Sequence, residues 1–306
     1  MIIAYEGADI TPLVSVSKCV YDAREEGRVP QLVIEFSDGK GVVDSWNPQR
    51  GECVSVTGDG APETGKMFVS SCEPKAGGYI VRADALPIPD TRASRLWRNT
   101  TFYVVAAQIA SKLGCGISVH GASDMAFAYV RQDDERALPV LARLCAFTGC
   151  TFDVYDGTVH LCSRSWAESQ DSAGTLEVLA RSGYSYRRRQ IYTACSIQQP
   201  GIHGYRDSFA ASSGSAGHTL SISLESSIGF PGSSELQRAC SGVLACVNAR
   251  AEGGNAKIDG LTPYTPGTVC MVECAQSSSV SGPAIITRVR NDYANNKSKA
   301  WWRLLQ

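Results

Sequence analysis

Residues 134–162 read DERALPVLARLCAFTGCTFDVYDGTVHLC. Two signals sit side by side here. Leu138, Leu141, Leu144 and Cys145 fall on one side of a helix expected from about Asp134 to Thr148, the spacing that turns an apolar stripe toward a core. Asp133 and Asp134 stand where N-caps and first-turn carboxylates favour the helix dipole. Pro139 lacks a backbone donor, so the pattern predicts a late helix start or a local kink. After Gly149 the period changes to two. Asp156-Gly157 between alternating runs predicts a two-residue hairpin turn with positive φ at both central residues. In that register Phe152 and Val154 share a face with Val159 and Leu161. That face should lie on Leu141, Leu144 and Cys145, with Asp153, Tyr155 and His160 pointing away.

Immediately upstream, residues 97–114 read WRNTTFYVVAAQIASKLG. Phe102, Val105, Ala106, Ile109, Ala110 and Leu113 form a second helical stripe. Asn99 or Thr100 is placed to cap its start and Gly114 to end it in a left-handed C-cap. GISVHG (116–121) reads as a short strand. PIPDTRASRLWRN (87–99) reads as an irregular connector, because two prolines deny it regular structure.

Both flanks read as β. On the N-terminal side Leu32, Ile34 and Phe36 alternate with Val33 and Glu35, followed by a hairpin signal at Asp38-Gly39. GECVSVTGDG, KMFVSSCEP and GYIVRADAL continue the pattern. On the C-terminal side come YSYRRRQIYTACSIQQPG, a helix over SSELQRACSGVLACVNAR (233–250), and strands at NAKIDGL, GTVCMVEC, PAIITRVRNDY and SKAWWRLLQ. The fold expected is mainly β with an α+β part. Two small antiparallel β-barrel domains, 1–92 and 169–306 (the second with one helix), flank an α/β insert, 93–168, built as helix, strand, helix and β-hairpin.

The composition narrows function. The 306 residues carry a formal net charge of −1 and only 19% charged residues, against a dominant nucleic-acid or anionic-membrane surface. MIIAYEGADIT is not a signal peptide, and no stretch reaches about 18 apolar residues, so neither secretion nor a membrane span is expected. Twelve cysteines occur without a CxxC pair, and most lie in apolar runs. They read as free core thiols, with neither disulfides nor a zinc site.

Catalytic signals are weak. His120, His160, His203 and His218 have no partner at metal-ligand spacing. SSGSAGH (212–218) lacks the first glycine of a nucleophile elbow and reads as a flexible loop. Glu25-Glu26 and Asp133-Asp134 are adjacent pairs whose members do not face each other, better explained as a turn and an N-cap. Arg187-Arg188-Arg189 reads as a solvated run at a strand entrance, with a phosphate or acidic partner as the functional alternative.

The order of these pieces resembles a family. A β-rich start with YEGADIT leads to W-x-P-x-x-G at Trp46, Pro48 and Gly51. An R-N-T-T helix through Asn99 ends IASKLG at Gly114. YVRQDDERALPVLARLCAFTGCTFDVYDGTVHL (129–161) follows with Asp156 and Gly157 at its turn, and VNAR precedes a closing β unit. This resembles the late-control-D family, the central baseplate hub of contractile-tailed phages and related injection machines. It is also similar to the N-terminal part of the type VI secretion spike protein. The resemblance implies tail-tube-like barrels in a homotrimer, a ring that adapts a hexameric tail tube to a trimeric spike. It implies tail tube and spike proteins as partners, with baseplate wedge and tape-measure proteins as further ones. It implies location in the virion tail baseplate after synthesis in the host cytoplasm. No catalytic, metal or cofactor residue is expected, nor membrane binding, nor sequence-specific nucleic acid, although DNA or another cargo would pass through the ring. The chain lacks a C-terminal spike or lysozyme extension, so the spike is expected to be a separate protein. Two rivals remain: a tail-associated cell-wall hydrolase with Glu135 or Asp153 as acid, and a carbohydrate-binding receptor module using Trp301 or Trp302.

Overall fold

Alternating runs from both ends of the chain pair into a single sheet. The computed structural model describes residues 1–25, 27–200, 206–212, 217–224 and 227–305. Its largest sheet has thirteen strands among these residues. One hydrogen-bonded path runs from Tyr184–Arg188 through Glu252–Asp259, Lys297–Leu304 and Gly282–Asp292 to Val16–Arg24. It continues through Gln31–Ser37, Gly78–Asp84, Met67–Lys75 and Cys53–Thr57 to Ile2–Tyr5 and Ala8–Asp9. Val269–Cys274 branches from Gly282–Asp292 and carries Thr175–Val178 in parallel. The chain halves meet where Gly282–Asp292 pairs antiparallel with Val16–Arg24, Arg288 opposite Arg24 and Asp292 opposite Val20.

The Asp38-Gly39 hairpin does not form. The chain turns instead into a short helix, α1 (Val42–Trp46), and the Asp38 carboxylate accepts the Val43 and Asp44 amides at 3.1 and 3.0 Å. Both amides lack intrahelical acceptors, so a carboxylate four residues before the helix start competes well with a turn.

The connector reading of 87–99 is also corrected. Ala93–Thr101 is a strand that pairs with Ala126–Glu135, a long strand not anticipated from the sequence, and Ile228–Gly229 completes this small sheet. Pro87 and Pro89 lie before the strand, where they break nothing. Asn99 does not cap a helix. It lies within the strand with φ 45°, and α2 (Phe102–Lys112) begins after Thr101, whose side chain makes no capping bond. The Asp124 carboxylate accepts the Tyr103 amide instead, at 3.0 Å. Gly114 behaves as expected. It takes φ 73°, its amide reaches Ser111 O and the Cys115 amide reaches Ala110 O, the paired bonds of a Schellman end.

The helix of the opening stretch, α3, spans Ala137–Thr148 without a break. Asp133 and Asp134 are not its caps, since both belong to the preceding strand, with Asp134 at φ 44°. Asp90 supplies the cap, its two carboxylate oxygens accepting the Ala137 and Leu138 amides at 2.8 and 2.9 Å. Pro139 is the third helical residue, where a missing N–H costs nothing, so no kink is needed. α4 (Arg164–Glu168) follows the hairpin, and α5 (Ser233–Ala249) lies on a three-stranded sheet of Arg206–Ser212, Ala194–Pro200 and Thr219–Ser223.

One hydrophobic core joins Ile3, Leu32 and Phe36 of the first β region to Phe102, Phe127, Leu141 and Leu161 of the insert and to Leu236 of α5. Trp302, Val272 and Ile286 anchor a second core under the C-terminal strands. Nine of the twelve cysteines are buried, as expected of thiols used as small core residues. Burial pushes Cys270 up to about 11, which leaves it a poor nucleophile.

Candidate interaction site

The opening stretch forms the hairpin as read. Asp156 and Gly157 take φ 46° and 72°, Tyr155 pairs with Thr158, Val154 with Val159 and Phe152 with Leu161. Gly116–His120 adds a parallel third strand against Thr158–Ser163. Phe152, Val154, Val159 and Leu161 are buried in the same core as Leu141, Leu144 and Cys145. The far face is only partly open. The Tyr155 hydroxyl donates to Glu63 O at 3.5 Å, and Asp156 Oδ1 accepts the Lys66 amide at 3.3 Å. The tip therefore rests on the 63–66 loop of the first β region. Asp153 sits beside the Tyr21 phenol, and burial pushes its carboxyl up to about 7. His160 lies 3.4 Å from His120, which stacks on Trp166 at 4.9 Å. Burial, then the neighbouring His120, lowers the His160 pKa.

The other motif residues stitch the first β region together. Trp46 ends α1 and meets Tyr5 edge-on at 4.1 Å between centroids. Pro48 is buried beside it. Gly51 takes φ 87° and sends its amide to Val69 O at 2.8 Å. Trp46, Pro48 and Gly51 thus hold Ile2–Tyr5 and Met67–Lys75 in place. They do not converge with Asn99, Gly114, Asp156 or Gly157 on one site.

No catalytic constellation assembles among the described residues. No group of three His, Cys, Asp or Glu is placed to hold a metal ion there. Glu135 is held by Arg143 through bonds of 2.7 and 3.2 Å. Glu25 pairs with Arg164 at 3.5 Å, both side chains 6% exposed. Glu26, His203 and most of the 212–218 loop lie outside the described residues. Trp302 is fully buried, and Arg288 and Lys299 lie over the Trp301 ring at 4.3 and 4.8 Å, so neither indole offers a free sugar platform. No helix among the described residues is long and apolar enough to cross a membrane.

The feature that stands out is a basic groove the sequence reading only touched. Side chains from five neighbouring strands project onto one face of the large sheet. Arg187 stands opposite Gly253, Asn255 opposite Trp301, Trp301 opposite Arg288, and Arg288 opposite Arg24. With Arg303, and with Arg250 at the end of α5, they line a cavity of about 590 Å³. Arg288 makes a two-pronged ion pair with Asp22, its Nε donating at 2.8 Å, and Arg24 lies 3.8 Å from the same carboxylate. Burial, then the charge of Arg288, lowers the Arg24 pKa. Arg303 donates to Glu168, while its Nε is buried without a partner. Arg24 also lines a second cavity of about 410 Å³ with Arg28 and Arg136. Of the Arg187-Arg188-Arg189 run, only Arg187 faces the first cavity; Arg188 turns to Glu252 at 3.5 Å and to Ser279 O. The sequence alternation points to a strand at Ile191, Thr193 and Cys195 with 187–189 at its entrance, whereas Arg187 and Arg188 belong to the strand Tyr184–Arg188 and the next strand starts at Ala194. The four partner strands came from distant segments, so the convergence was not visible in the sequence.

No family model matches the chain, and no curated protein matches it. Solved structures do. A tail protein from Neisseria meningitidis MC58 is similar at TM-score 0.70 and 10% identity, over 98% of this chain and 94% of that one. The prophage MuSo2 43 kDa tail protein from Shewanella oneidensis is similar at TM-score 0.65 and 12% identity, over 99% and 98%. The E. coli c3393 protein, a component of the type VI secretion system with structural similarity to T4 bacteriophage tail proteins gp27 and gp5, is similar at TM-score 0.60 and 12% identity, over 100% and 77%. The chain has the mainly β fold of these tail and secretion-system proteins along nearly its whole length.

Proposed function

We propose that this chain is a structural subunit of a phage tail or related injection machine, acting as the baseplate hub: a homotrimeric ring that adapts a hexameric tail tube to a trimeric spike. The observation that carries the reading is the near end-to-end fold likeness to tail proteins, over 98–99% of this chain and 94–98% of theirs. In this reading residues 1–92 and 169–306 are two tail-tube-like barrel units that repeat around a three-fold axis as a pseudo-six-fold ring, with 93–168 inserted between them. The direct strand pairing between Val16–Arg24 and Gly282–Asp292 supports it, because a ring of alternating units needs the two halves of each chain rigidly joined. Tube and spike proteins are the partners, wedge and tape-measure proteins the further ones, and the tail baseplate the location.

The experiment is light scattering on the purified chain over a range of concentrations, followed by electron microscopy of assembled particles. A mass three times that of the chain and a ring between tube and spike are expected. A strict monomer at high concentration, together with particles that lack the chain at that position, overturns the reading.

A further inference from the structure

We propose that the arginine groove docks an acidic segment of a partner polypeptide, one that presents Asp and Glu side chains. The inference deepens the assembly reading by naming a contact, and it rests on that reading only for there being a partner chain.

The charge is local. A chain with a net charge of −1 gathers five arginines around one cavity and adds Arg28 and Arg136 in the next, with Arg24 shared between them. Most of the carboxylates at these walls are already engaged elsewhere. Glu25 pairs with Arg164, Glu252 with Arg188, and Asp90 caps α3. Asp22 serves Arg288 and Arg24 together. Arg288 and Arg303 are themselves paired, with Asp22 and Glu168, so the guanidinium groups the groove offers a partner are chiefly those of the exposed Arg187, Arg28 and Arg136.

The residue type and the wall chemistry select the ligand. The basic wall residues are all arginines, whose planar fork matches a carboxylate with two parallel bonds. The interspersed acids disfavour a continuous polyphosphate, which would set a charge against each of them. Trp301 does not offer the stacking platform that single-stranded nucleic acid uses, since Arg288 and Lys299 already lie over its ring. A peptide with spaced carboxylates meets the arginines and avoids the acids.

The test is fluorescence anisotropy on the full chain with labelled hexaglutamate at low ionic strength. A labelled thymidine oligonucleotide and inorganic phosphate serve as comparisons. Exposed Arg187 and Arg28 are replaced singly (Arg187→Ser, Arg28→Ser), with Arg50→Ser, on the turn near Gly51, as control. Circular dichroism confirms that each variant is folded. The proposal expects saturable hexaglutamate binding that weakens with salt. Affinity should fall about tenfold, equivalent to about 1.4 kcal/mol, in Arg187→Ser, and measurably in Arg28→Ser, with no change in Arg50→Ser. Absence of binding, equal binding by all three variants, tighter binding of the oligonucleotide, or displacement of the peptide by equimolar phosphate each overturns it. All of these read the isolated chain, so the trimer and particle experiment stands or falls separately.

Discussion

Asp153 illustrates how a single half-buried residue makes stability depend on pH. Burial is the main cause of its shift, raising the carboxyl from the usual acidic range to about 7, while a bond of 2.8 Å from the Val154 amide pulls weakly the other way. An acid whose folded pKa is raised favours folding while protonated. The folded state is then most favoured below pH 4 with respect to this group, and that contribution is lost as pH rises through about 7. Asp153→Asn should be more stable than the parent at pH 8 by about 1–3 kcal/mol, with the difference vanishing below the unfolded pKa near 4. Thermal melts of both proteins across that range check it; a constant offset at every pH refutes it. Gly242 is the second telling residue. A Cβ there would stand 2.2 Å from Phe147 O and 2.7 Å from the Gly149 amide, both backbone atoms at the end of α3. Gly242→Ala should therefore push α5 from α3 and cost roughly 2–3 kcal/mol, in the range of an overpacked core. The gain in helix propensity, about 1 kcal/mol, is too small to reverse the sign. An unchanged melting temperature would show that the helices do not cross this closely.

At the scale of elements, the hairpin and its helix behave as one unit with a defined attachment. The Asp-Gly turn leaves the register no freedom, because a slip by one residue would carry Phe152, Val154, Val159 and Leu161 out of the core together. Gly157→Val has space for its side chain but keeps φ 72°, which a β-branched residue resists. The expected cost is roughly 1–3 kcal/mol, read as a lower melting temperature with loss of hydrogen-exchange protection in 150–163 before the large sheet. Because the tip rests on residues 63–66, exchange in that loop should rise as well. An unaltered melt would end the argument from turn geometry. The hairpin thus braces the insert against the first β region, and the alternation of 150–162 had already announced its shape.

At the scale of the whole molecule, the decisive feature is the strand pairing that ties the first β region to the last. The Asp22–Arg288 pair fastens the same seam from the side chains. A chain tied this way would transmit load without a hinge at the junction of its halves. The proposed trimer should form in a concentration-dependent way, since its ring closes only when three copies meet. Dilution series by light scattering read this directly, with a concentration-independent monomer as the contrary result.

Local order in the chain was legible wherever one physical rule dominated. The α2, α3 and α5 stripes, the Gly114 end, the Asp156-Gly157 turn and the alternation of most strands follow from periodicity and backbone freedom, which neighbours in sequence carry by themselves. The departures share another cause. Asp38, Asp90 and Asp124 cap helices in place of the residues nearest by pattern, because an unpaired amide takes whichever carboxylate the fold brings within reach. Ala93–Thr101 became a strand because Ala126–Glu135 lay beside it, and pairing of backbone groups outweighs a weak local preference. The arginine groove belongs to the same class. Arg24, Arg187, Arg288 and Arg303 are spread over 280 positions of sequence and share one face only because five strands are ordered as they are. Local patterns of residues set which segments can be helix, strand or turn, but which distant charges become neighbours follows from strand order, since hydrogen-bonded strand order is a property of the folded sheet and not of any one segment.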